Sequence, residues 1–102
     1  MSDDVHPEAS PVAIATRLHL TRQVFGLSQK AFAARAGIVF TTYEVYELAE
    51  RRPPLDDALS ICKAFDLTLD WLYAGDIRGL PLSVAEAIKR VRRLGTMKTS
   101  GS

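Results

Sequence analysis

Residues 29–47 read QKAFAARAGIVFTTYEVYE, and the fold turns on how this stretch is divided. Ser28 stands where a helix over 29–36 needs an N-cap, and Phe32, Ala33 and Ala36 share one face of that helix. Gly37 ends it where the chain must turn sharply through a positive φ, which glycine adopts without a Cβ clash. Ile38 follows and can plug the turn. A second helix is expected from about Thr41 to Ala49, with Tyr43 and Tyr46 turned to the core, and Pro53-Pro54 bars its continuation. Ala33 is small where the two helices cross.

This spacing supports two readings. One is a helix-turn-helix, whose second helix enters the major groove of DNA N-terminus first. The other is an ordinary αα-hairpin in a helical bundle. Spacing alone leaves both open.

Outside the quoted stretch, caps and breakers predict more short helices and no strand. Ser10-Pro11 opens a first helix carrying Ile14 and Leu18, which Gly26 ends. A fourth runs from about Leu55 to Phe65, with Ala58, Ile61, Cys62 and Phe65 at helical spacing. Thr68 caps a short fifth helix, Leu69 to Ala74, that Gly75 closes. Ser83 and Glu86 have the spacing of a capping box opening a sixth helix to about Leu94, striped with Val84, Ile88 and Val91. The expected divisions are a flexible acidic segment at 1–10, a helical domain at 11–76, a linker and basic helix at 77–95, and a disordered tail at 96–102. No internal repeat is visible.

The chain has 102 residues, 47 % of them apolar, which suffices for one modest core. No apolar run is long enough to cross a bilayer. The opening MSDDVHPEAS has the wrong charge and hydropathy for a signal peptide, and the lone Cys62 is expected as a buried, inert thiol. A cytoplasmic, nucleoid-associated protein is expected. The net charge of +1 hides strong banding: −3 over 1–16, +3 over 17–52, −4 over 53–77 and +5 over 78–102. The two basic bands are where a polyanion would sit.

Nothing in the sequence calls for catalysis or a cofactor. There is no nucleophile–base pair, phosphate-binding glycine loop or paired carboxylate site; Asp56-Asp57 favour a helix dipole instead. His6 and His19 lack companions at ligand spacing and are expected as surface histidines, not a metal site. Trp71 is expected in the core. No small-molecule ligand is evident.

From Arg17 to Gly75 the chain resembles the Cro/phage-repressor-type (XRE-like) helix-turn-helix family. The resemblance rests on R17-L18, R22, G26-LSQ-29, A33, G37-I38, E47, R51-R52-P53 and D70-WLYAG-75, in the family's order and separations. It implies an all-α fold: a compact five-helix, lambda-repressor-like DNA-binding domain, here with an additional C-terminal basic helix. It also implies a homodimer on a palindromic double-stranded operator, acting as a transcriptional regulator and most simply as a repressor. Carried over by position, Gln29 and Lys30 start the first motif helix near the DNA backbone. Val39, Phe40, Thr41, Thr42, Glu44 and Val45 are the groove-facing positions, and Arg51 and Arg52 look like phosphate clamps. Arg22 and Glu47 match a family ion pair that joins the first and third helices.

The chain also departs from the family. Polar groove positions that could bond base edges are here Val39, Phe40 and Val45, which can only touch thymine methyls or wedge between bases. Glu44 repels phosphate and can accept only from cytosine N4. Ala49 replaces the usual glycine, and Tyr43 and Tyr46 replace aliphatics. An alternative therefore stands beside DNA regulation: a helix-turn-helix-fold protein-interaction module, of antitoxin or co-regulator type, with an apolar recognition face. Lys89, Arg90, Arg92 and Arg93 on the last helix form a solvated basic face of a helix packed on this domain or a partner. A contact to the DNA backbone is the next reading, and membrane attachment is disfavoured because the stripe lacks Trp and Phe.

Overall fold

The computed structural model describes residues 6–101, with side chains through Leu94. After a 3-10 turn at Pro7–Ala9, Ser10 Oγ accepts from Ala13 N at 3.1 Å and Pro11 occupies the first turn, so α1 (Pro11–Phe25) starts there. Ser28 caps α2 (Gln29–Ala36) in the same way. Gly37 ends α2 at φ 73°, and Ile38, buried, donates its N–H back to Ala33 O at 2.9 Å. Then come α3 (Phe40–Glu47) and α4 (Leu55–Phe65). The fold is all-α, with no strand among the described residues.

The expected fifth helix is a π-helical turn, Asp70–Ala74. Thr68 Oγ1 accepts from Trp71 N at 3.0 Å, and Gly75 closes the turn at φ 75°. A Cβ on Gly75 would lie 3.1 Å from the Arg17 guanidinium, so both conformation and space require glycine there.

Two helices differ from expectation at their ends. α3 begins at Phe40 and stops at Glu47, short of Ala49, because Ala49 swings to φ 63°. Ala49 N donates to Tyr46 O and Glu50 N to Val45 O, which is a Schellman closure with alanine in the glycine position. At the other end of the chain, α5 (Leu82–Gly101) starts before the expected capping box and continues past Leu94. Leu80 is buried and donates its N–H to Ile77 O, bringing the chain onto the domain. Pro81 O then accepts from Ala85 N, so Ser83 lies inside the first turn and does not cap it. Residues 1–5 of the expected acidic segment, and the side chains of the expected tail, lie outside the described residues.

The core joins the four helices of the motif region. The Phe32 ring stacks on Phe65 at 4.1 Å and tilts against Tyr43 at 5.2 Å, while Ile14, Leu18, Tyr46 and Ile61 are buried around them. Trp71 is fully buried, as expected. Its Nε1 donates to Thr21 Oγ1 at 3.0 Å, and that hydroxyl donates to Arg17 O, so both buried polar groups are satisfied. Cys62 is buried too, and burial pushes its thiol up to about 11, which keeps it protonated and unreactive. α5 packs on α1 and sinks Ala85 and Ile88, with Val84 and Val91 partly covered. The apolar stripe that the sequence left open to this domain or a partner is thus spent on this domain.

Ala49 generates a stability prediction. A left-handed alanine costs about 1–2 kcal/mol, part of which glycine returns through its freer unfolded chain. Ala49→Gly is expected to stabilise the domain by about 0.5–1 kcal/mol in urea denaturation. A loss of stability would show that the turn is not strained.

Candidate nucleic-acid interface

Glu47 ends α3 with its side chain only 6 % exposed. A buried carboxylate accepts only, and must find donors for both oxygens. Arg22 of α1 supplies a fork, Nε to Oε2 at 2.7 Å and Nη2 to Oε1 at 3.0 Å. Gln29, the first residue of α2, donates Nε2 to Oε1 at 3.0 Å, and the Tyr43 hydroxyl donates to Oε2. One carboxylate therefore holds α1, α2 and α3 together. Arg22 is fixed in turn by Leu27 O, and its Nη2 lies 3.0 Å from His19 Nδ1.

The pairing of Arg22 with Glu47 read from the sequence is made. The roles of Gln29 and His19 in it were not read. Burial by itself pushes the Glu47 carboxyl up, but the bonds from Arg22, Tyr43 and Gln29 outweigh it and hold the group below its ordinary value. Burial and the same carboxylate push the Tyr43 hydroxyl strongly up, so it stays a donor.

This cluster sets the outer edge of the motif. Gln29 keeps its amide oxygen and second N–H for another partner, one N–H being committed to Glu47. Lys30 Nζ lies 5.8 Å from the centre of the Phe40 ring, a cation–π contact that brings the first turns of α2 and α3 together. Val39, just before α3, is 69 % exposed, and Thr41 is exposed. Phe40, Thr42 and Glu44 are partly buried. Val45, also partly buried, packs against the edge of the core.

The sequence reading missed Leu48, which is 63 % exposed. Its signal was present, since it stands four residues after Glu44 and seven after Thr41 on the outward side of α3. Arg51 and Arg52 are exposed on the loop after α3. The Arg51 guanidinium stands 5.9 Å over the Tyr46 ring, and Arg52 Nη1 donates to Ala9 O at 3.1 Å. That loop is fastened from below, where Tyr46 donates to Asp57 and Tyr73 to Pro53 O. Gln29, Lys30 and Phe40 are thus gathered at one edge, and two guanidinium groups follow on an anchored loop.

A sequence-family model described as "Helix-turn-helix" matches residues 18–72, which includes α2, the turn and α3. The chain is also similar to the uncharacterized HTH-type transcriptional regulator YobD of Bacillus subtilis (strain 168), at 29 % identity over 56 residues. That match covers 55 % of this chain and 50 % of the relative, so the chain spans about half the length of the curated protein it matches. No solved structure matches it.

The depressed Glu47 carboxyl predicts a pH dependence. A carboxyl whose folded pKa lies below its unfolded value of about 4.3 contributes fully above that value, and its contribution is lost as pH falls through the folded pKa. Wild type should therefore be more stable than Glu47→Gln at neutral pH, and the difference should shrink on acidification below about pH 4. Thermal melts of both proteins across that range check this; a gap independent of pH would contradict the assignment.

Proposed function

The chain belongs to the Cro/C1-type helix-turn-helix family, and on that premise we propose that it is a DNA-binding transcriptional regulator. We assign it a repressor's role, as a cytoplasmic homodimer on a palindromic operator, without enzymatic activity. The observation that carries this reading is the shared edge of α2 and α3. There a carboxylate-fixed Gln29, Lys30 over Phe40, and the exposed Val39 and Thr41 lie ahead of the anchored Arg51 and Arg52.

In this reading α3 enters the major groove by its N-terminus. Gln29, Lys30, Arg51 and Arg52 supply affinity that is independent of sequence, because they reach phosphates. Val39, Phe40, Thr41, Thr42 and Glu44 carry the sequence preference, with Val45 supporting them from the core side. Phe40 and Val39 suit thymine methyl groups, and Glu44 suits the amino group of cytosine. A single short helix reads few base pairs, which is why twofold symmetry belongs to the proposal. The dimer contact must come from elsewhere than Ala85 and Ile88, which are buried within the domain.

The exposure of Val39 and Leu48 favours a second reading, a protein-interaction module using the same face. Salt separates the two. Phosphate contacts give a log–log slope near −0.9 per contact, whereas an apolar protein interface is nearly insensitive to salt. The test starts with a protection footprint on DNA flanking the protein's own gene and continues with binding across a salt series. Arg51→Ala and Arg52→Ala should each weaken operator and scrambled duplex alike and flatten the slope by about one unit. Phe40→Ala should cost roughly 1–3 kcal/mol on the operator and little on scrambled duplex. Operator affinity unchanged by Phe40→Ala and Thr41→Ala would transfer this face to the protein-interaction reading.

A further inference from the structure

We infer that the outward face of α5 grips the phosphate backbone of the duplex beside the segment that α3 enters, through Lys89, Arg90 and Arg93. The inference rests on the DNA-binding reading and adds a contact to it, because α5 lies outside residues 18–72, the part of the chain that matches the helix-turn-helix family.

α5 buries Ala85 and Ile88 against the domain. Lys89, Arg90 and Arg93 fall about 100–200° round the helix from Ile88, and all three are exposed. Glu86 precedes Lys89 and Arg90 by three and four residues, yet it forms no ion pair with either. No acid pairs with Arg93 among the described residues. Arg92 turns the other way, its guanidinium 5.4 Å over the buried Trp71 ring, and takes no part in this face. Lys89 and Arg93 are four residues apart and Arg90 and Arg93 three, so like charges repel along the helix that carries them. Phosphates relieve that repulsion and release condensed counterions as they are neutralised.

The placement of the face selects a duplex as its partner. Val91 and Leu94 line one groove with His19 and Gln23, from the last two turns of α1. At that end of α1 Arg22 bonds Glu47, and Glu47 in turn holds Gln29 at the start of α2. His19 takes part directly, its Nδ1 3.0 Å from Arg22 Nη2. The basic part of α5 is thus joined, across the end of α1, to the edge assigned to DNA. Duplex DNA carries a negative charge about every 1.7 Å of its axis, so a row of cations finds partners there in any register and without regard to sequence.

The test measures binding of the full chain to operator and scrambled duplexes across a salt series. The triple variant Lys89→Gln, Arg90→Gln, Arg93→Gln should bind both duplexes at least about tenfold more weakly and flatten the log–log slope by about two to three units. Arg93→Gln alone should flatten it by about one unit, and Arg90→Lys with Arg93→Lys should keep the slope, since lysine still neutralises phosphate as a point charge. Thermal melts should show the triple variant at least as stable as wild type, because repulsion is removed. A wild-type slope and affinity in the triple and single glutamine variants, with Arg52→Ala still weakened, would overturn the inference and leave the reading of α3 intact. Wild type without salt-dependent duplex binding would overturn both. Glutamine variants that lose self-association in sedimentation but keep the slope would overturn it too, and would assign the face to the acidic band of a second copy.

Discussion

The carboxylate of Glu47 is the constraint on which the motif depends. It is nearly excluded from water, and it is satisfied by donors from three helices: Arg22 of α1, Gln29 of α2 and Tyr43 of α3 itself. A charge so placed tolerates little movement, since any departure strands either the carboxylate or the guanidinium. The angle between α2 and α3 is therefore set by polar geometry as well as by the packing of Phe32, Phe65 and Tyr43. Gln29 connects this internal constraint to the outer surface, because it bonds Glu47 and also begins the edge that carries Lys30 and Phe40.

Much of the fold was legible because short helices announce their ends. Ser10, Ser28 and Thr68 cap where expected, and Gly37 and Gly75 turn left-handed where expected. The core was legible wherever apolar spacing had one solution, as for Ile14 and Leu18 or Ile61 and Phe65. Reading failed where two local signals competed. Ser83 and Glu86 had capping-box spacing, but burial of Leu80 brought the chain into the helix at Pro81 first. Ala49 stands where the family has glycine but is itself a good helix former, so the local pattern extends α3 two residues beyond Glu47, whereas tertiary closure forces the left-handed turn.

The site was less legible than the fold, because its decisive contacts join residues far apart in the chain. Resemblance pointed to Arg22 and Glu47, but the bond from Gln29 and the approach of His19 depend on where three helices cross. Val45 and Leu48 stand three residues apart, yet Val45 packs at the edge of the core while Leu48, at the end of α3, is exposed. The apolar character of that face is a property of the folded chain, and it gives weight to both functional readings. The stripe on α5 was ambiguous in sequence, since a helix shows its apolar side equally to its own domain and to a partner; packing on α1 decided it.

Arg22 and Glu47 act as one unit that positions the motif. A double-mutant cycle tests it most directly, with Arg22→Met, Glu47→Gln and the double variant unfolded in urea at neutral pH. Strong coupling is expected, about 1–3 kcal/mol, with the double variant less destabilised than the sum of the single ones because removing both charges leaves neither stranded. Simple additivity would contradict it, and would leave the orientation of α2 and α3 to core packing alone.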